Sequence, residues 1–133
     1  MNFAQITTLV LITALLSCAP VNGQEAVGAT TFKEMIASAP GTLVDVRTPD
    51  EWKGGVIAGA VLIDFHADGF KERMAALDRN VPVYIYCAVG GRSHLAALQL
   101  QKLGHSNVID LDGGMEAWQE AGYAVVPPGR TGK

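Results

Sequence analysis

Tyr84 to Leu98 reads Y-I-Y-C-A-V-G-G-R-S-H-L-A-A-L. A short apolar run ends in Cys87, a small glycine-bearing loop follows, and a helical pattern begins at Arg92-Ser93. That order gathers several features that stabilise a thiolate. Unpaired N–H groups at a helix start attract anions, and glycines let the backbone curl around one. The Arg92 guanidinium adds a permanent positive charge. A cysteine so placed ionises near neutral pH and serves as a nucleophile.

Working outward, β-rich runs alternate with amphipathic stretches, the pattern of an α/β fold with a parallel sheet. The expected strands are Thr42–Val46, Ala60–Asp64, Val81–Tyr86 and Asn107–Leu111, with a fifth, short one near Ala26–Ala29. Helices are expected between them. Thr31 with Glu34 offers a capping box before F-K-E-M-I-A-S, and Thr48-Pro49-Asp50-Glu51 offers another with proline at the first helical position. Further helices are expected over Phe70–Leu77, over Ser93–Leu103 ending at Gly104, and over Met115–Ala121 ending at Gly122. In open parallel sheets ligands bind beyond the carboxyl ends of the strands, which is where Cys87 falls.

The 133 residues suffice for one domain with a substantial core. A net charge of −3, with no basic run, offers no general attraction to nucleic acid or anionic lipid. Any anion must therefore be attracted locally. The first charged side chain is Glu25, and Leu9–Leu16 forms an apolar block. That block is far short of the roughly 20 apolar residues of a membrane span. It suits a secretory signal peptide over residues 1–23, with V-N-G (Val21–Gly23) as its cleavage site and residues 24–133 as the mature domain. The expected location is then exported, in the periplasm. L-L-S-C (Leu15–Cys18) supports a second reading, a lipoprotein signal ending at residue 17, with Cys18 lipidated and the protein anchored to a membrane.

After cleavage at Gly23, Cys87 is the single remaining cysteine, so no internal disulfide supports the fold. His66, His94 and His105 have no metal-ligand spacing with it, and neither metal nor cofactor is expected.

Three segments together resemble the rhodanese (sulfurtransferase) family. L-V-D-V-R-T-P-D-E-W-K-G-G-V-I-A-G-A (Leu43–Ala60) is similar to the family's D-V-R-x-x-x-E-[WFY]-x-x-G-H-I-x-G-A. The C-x-x-G-x-R-S loop spans Cys87–Ser93, and D-L-D-G-G-M-E-A-W (Asp110–Trp118) is similar to D-L-x-G-G-x-x-x-W. One departure is Val56, where the family usually has histidine; it reads as packing or turn structure. The resemblance implies a three-layer α/β domain, a central parallel sheet of four to five strands flanked by helices. It also implies a Cys87 persulfide that carries sulfur from a small anionic donor such as thiosulfate to cyanide, a thiol or a partner protein's cysteine. The loop from Cys87 through Arg92 has the six residues of sulfur-transferring members, whereas related phosphatases and arsenate reductases carry one more.

On this reading Cys87 is catalytic. The amides of Ala88, Val89, Gly90, Gly91 and Arg92 cradle the sulfur, and Arg92 binds the donor's anionic end. Ser93 either contacts substrate or caps the helix. Asp45 and Arg47 brace the loop, Glu51 completes a cap, and Trp52 and Trp118 pack. Gly113-Gly114 makes a structural turn. A persulfide carrier or sensor that docks on a partner keeps the same loop, so that alternative stands beside the enzyme.

Overall fold

The computed structural model describes residues 23–129. Along them run β1 (Gly23–Val27), α1 (Ala29–Ser38), β2 (Thr42–Asp45), α2 (Pro49–Trp52) and β3 (Val61–Leu62). There follow α3 (Phe70–Ala75), β4 (Val83–Tyr86), α4 (Gly91–Lys102), β5 (Asn107–Leu111) and α5 (Gly114–Glu120). The five strands form one sheet, all pairs parallel, in the order β1-β5-β4-β2-β3. The readings of a signal peptide and of a lipidated Cys18 fall outside the described residues.

Strand periodicity splits the core in two. Val44, Val46, Val83, Ile85, Cys87 and Val108 face one side, against Phe70 and Met74 of α3 and Ala96, Ala97 and Leu100 of α4. Leu43, Tyr84, Tyr86, Ile109 and Leu111 face the other, against Phe32 of α1 and Met115 and Trp118 of α5. The result is the expected three layers. Every residue of β4 is buried, because helices cover both faces of a parallel sheet. Its tyrosines can lie inside because their hydroxyls find partners: Tyr84 donates to the carbonyls of Met35 at 3.0 Å and Ala39 at 2.7 Å. Phe32 packs edge-on against the same ring, with centroids 5.7 Å apart.

The strand order positions the site. From β2 the chain continues to β3 on one side, whereas from β4 it continues to β5 on the other. The loops that leave the neighbouring strands β2 and β4 therefore part in opposite directions and open a crevice between them. One carries Arg47 and Glu51, the other Cys87 and Arg92.

Two local expectations need correction. The first strand is Gly23–Val27 rather than Ala26–Ala29, in full register with β5 from Gly23↔Asn107 to Val27↔Leu111. It is an edge strand held by backbone bonds, and within it only Val27 is counted among the buried core. The first helix is capped by Gly28 without a side-chain bond, so Thr31 and Glu34 form no capping box. Starting one turn earlier places Phe32 fully in the core, and the Thr30 hydroxyl lies 2.8 Å from that of Tyr123 instead. Val56 is 2% exposed and bridges Val126 through two backbone bonds, a packing role as expected.

Candidate active site

The loop after β2 is organised by a buried ion pair. Asp45 is fully buried and accepts from the Arg47 amide at 2.9 Å, from Nε at 3.0 Å and from Nη2 at 2.7 Å. The guanidinium also donates to the carbonyls of Gly55 at 2.8 Å and Glu51 at 3.3 Å, and lies 5.7 Å from the centre of the Tyr86 ring. Burial pulls the Arg47 pKa down, but the bonds and charge of Asp45 outweigh it and leave it raised. Asp45 and Arg47 thus fasten the β2 loop and α2 directly, and the Glu51 they hold reaches the cysteine loop.

Glu51 does more than the sequence suggests. It completes the capping box of α2, accepting from the Thr48 amide at 2.8 Å while its own amide donates to the Thr48 hydroxyl. Its carboxylate also takes a two-pronged bond from Arg92, Nη1 to Oε2 at 2.8 Å and Nη2 to Oε1 at 2.7 Å. That guanidinium, assisted by the Thr48 bonds against some desolvation, holds the Glu51 carboxyl at about 2. Arg92 is thereby fixed beside the cysteine loop, and three of the five N–H groups of its guanidinium take no part in that pair. The 41 residues that separate the partners hide this contact from any local reading of the sequence.

Cys87 directly follows β4, with 1% exposure. The Gly90 amide donates to its Sγ at 3.1 Å, from a backbone with φ of +114° that favours glycine. Burial pushes the thiol up, but the Ser93 hydroxyl and the amides of Ser93, Gly90 and Val89 more than offset this and leave it below its ordinary value. Ala88, Gly91 and Arg92 complete the turn into α4, while Val89 stands 63% exposed at its rim. Ser93 does not cap α4, whose cap is Gly90 with no side-chain bond. It lies fully buried one turn inside, behind the sulfur, with its hydroxyl 3.2 Å from the Gly90 carbonyl.

The Gly113-Gly114 turn has a specific task. It aims the start of α5 at the cysteine loop, where the amide of Met115 donates to the Cys87 carbonyl at 2.8 Å and that of Glu116 to the Ala88 carbonyl at 3.1 Å. Gly114 has φ of +57°, and a Cβ there would stand 2.5 Å from the Cys87 carbonyl oxygen. Gly114→Ala is therefore expected to cost about 1–3 kcal/mol and to push the loop off its anchor. Thiol alkylation kinetics beside denaturant unfolding would check both effects; an unchanged alkylation rate would mean that α5 does not hold the cysteine.

Three motifs thus meet at the carboxyl end of the sheet: the β2 loop through Glu51, the cysteine loop, and the start of α5. A profile of the rhodanese-like domain matches residues 28–121. The chain belongs to the rhodanese-like domain family. Among curated proteins it is similar to a sulfurtransferase of Allochromatium vinosum, 37% identical over 86 residues that cover 65% of this chain and 78% of that one. It is also similar to the thiosulfate sulfurtransferase GlpE of Pseudomonas entomophila, 39% identical over 77 residues, or 58% of this chain and 69% of that one. Among solved structures, a rhodanese-related protein from Thermoplasma volcanium superposes with a TM-score of 0.69 at 33% identity, covering 78% of this chain and 99% of that one. Membership and relatives together support a sulfurtransferase-like role for this rhodanese-like domain.

Proposed function

We propose that this chain is an exported sulfurtransferase that carries sulfur as a Cys87 persulfide. The observation that carries the reading is the ring of donors around Cys87, with the Gly90 amide 3.1 Å from the sulfur and the thiol pKa lowered. The Cys87 thiolate attacks the outer sulfur of thiosulfate or a similar donor. The donor's sulfur–sulfur bond breaks, and sulfite leaves with the bonding pair. An acceptor, cyanide or a thiol, then attacks the outer sulfur of the persulfide and returns Cys87 as thiolate, a double displacement. The loop amides and Ser93 steady the negative sulfur, and the N–H groups of Arg92 not engaged by Glu51 face the donor's anionic end. Export rests on the uncharged apolar segment before Glu25.

A second reading, a carrier that delivers sulfur to a partner protein's cysteine, draws on Val89. An apolar side chain 63% exposed beside a buried nucleophile suits a protein acceptor better than a small ion.

Intact mass spectrometry before and after thiosulfate is the test. The expected result is a gain of one sulfur that cyanide removes. No gain by the folded, reduced protein would sink the thiosulfate reading. Rapid removal by a copurifying protein, with slow removal by cyanide, would favour the carrier. For protein recovered from its native host, the same spectrum shows whether the mature chain begins at Gln24 or at a lipidated Cys18; a chain that still begins at Met1 would count against export.

A further inference from the structure

Asp110 is a carboxyl group in the wrong surroundings. It lies in β5, 4% exposed, paired in register with Ile85 of β4 and Ala26 of β1. Ile85 belongs to the core on the α4 side, as Cys87 two residues further on does, so Asp110 sits on the same face. Its Oδ1 is buried and has no hydrogen-bond partner among the described residues. An ionised carboxylate with an empty buried oxygen is costly, whereas a neutral acid asks for less. Among the described residues, few groups face it. From α4 come the Ser93 hydroxyl and the His94 ring, from β1 the Gln24 amide, and from just past β5 the charge of Asp112. Gln24 Nε2 and His94 Nδ1 lie 2.7 Å apart, an exposed contact between β1 and α4.

Ser93, fully buried in α4, also lies beside Cys87. Its one proton goes to the Gly90 carbonyl at 3.2 Å, with the Cys87 sulfur and the Asp110 carboxyl as the other acceptors near it. We propose that Asp110 is a positioning residue that sets, through Ser93, how strongly the Cys87 thiolate is stabilised. This rests on Cys87 being the nucleophile. When Asp110 is ionised it draws the Ser93 proton to itself, and the sulfur loses a donor. When Asp110 is protonated its own O–H donates to Ser93 Oγ, and the serine proton is released toward the sulfur. Apart from the Asp110 O–H bond, whose proton is exchanged with solvent, only hydrogen bonds change. Burial, against the help of Ser93, His94 and Gln24, holds the Asp110 carboxyl at about 6, so the exchange falls within an ordinary pH range. The two acids share one donor, and each titrates in response to the other.

The test is the pH profile of Cys87 alkylation by iodoacetamide, which reads the thiolate and needs no sulfur donor. The wild type should show two inflections. Asp110→Asn, whose amide donates permanently to Ser93, should show one, moved to lower pH. In a Ser93→Ala background the same substitution should move nothing. A profile unchanged by Asp110→Asn would overturn the proposal, as would a shift that persists without Ser93, since that would be charge acting through space. If Asp110→Asn does not fold, carbon NMR of the Asp110 carboxyl decides. Alkylating Cys87 should lower its midpoint, and only when Ser93 is present; an unmoved midpoint would overturn the proposal. Failure of sulfur loading would sink the transfer reaction and leave these profiles untouched, so the two readings fail separately.

Discussion

Cys87→Ser is expected to take sulfur transfer to background, a loss of at least about a thousand-fold in kcat/KM. The reason lies in the acid–base character of the two atoms rather than in their placement. A serine Oγ in this ring would accept the same Gly90 amide and fill nearly the same buried volume. It would remain a neutral hydroxyl at any pH the fold tolerates, because the donors that bring a thiol below its ordinary value act on an alcohol that starts several units higher. Nor could an oxygen carry the transferred sulfur as a persulfide. Stability should change little, since a small hydroxyl with a donor at hand is satisfied where it sits. Steady-state assay with thiosulfate and cyanide, beside thermal unfolding, would check the pair of expectations. Retained turnover in a folded Cys87→Ser protein would remove Cys87 from the mechanism. Lost turnover with a collapsed unfolding transition would leave its role to the alkylation profiles.

The layered fold was legible because periodicity and turn chemistry agree over most of the chain. Asn107–Leu111 runs as anticipated, and α2 begins at its Thr48-Pro49 cap. The misreadings fall where local signals compete with the sheet. Thr31 and Glu34 carry the letters of a capping box, yet β5 holds β1 through Val27, and the chain enters α1 directly at Gly28. β1 itself has almost no apolar signature, because an edge strand can be held by its backbone alone. Helix α4 starts at Gly91 rather than Ser93, which turns the serine from a cap into a buried neighbour of the sulfur. The same limit governs the site. Cys87 and its loop amides are contiguous and announce themselves. The Glu51–Arg92 bond, the two amides of α5 on the cysteine loop and the approach of Asp110 to Ser93 each join segments far apart in sequence. Only the strand order makes them neighbours.

Asp45→Ala is expected to lower the free energy of unfolding by about 3–5 kcal/mol, the range for removing one partner of a buried ion pair. For a domain whose whole stability is roughly 5–15 kcal/mol, that is a severe loss. Asp45 is fully buried and Arg47 is 5% exposed, so the guanidinium left behind would face the Tyr86 ring and two neutral carbonyls with its charge unpaired. It could regain water only by abandoning the carbonyls of Glu51 and Gly55, which would free α2 and with it the carboxylate that holds Arg92. The cost therefore comes from the orphaned charge more than from the lost attraction. That separates two variants that a simple count of bonds would rank the other way. Asp45→Leu with Arg47→Met removes both charges and every bond between them, yet should be less destabilised than Asp45→Ala alone. Denaturant unfolding of the single and double variants would measure the difference. A loss under about 1 kcal/mol for Asp45→Ala, or a double variant weaker than the single, would mean that the pair behaves as a surface bridge and does not set the position of Glu51.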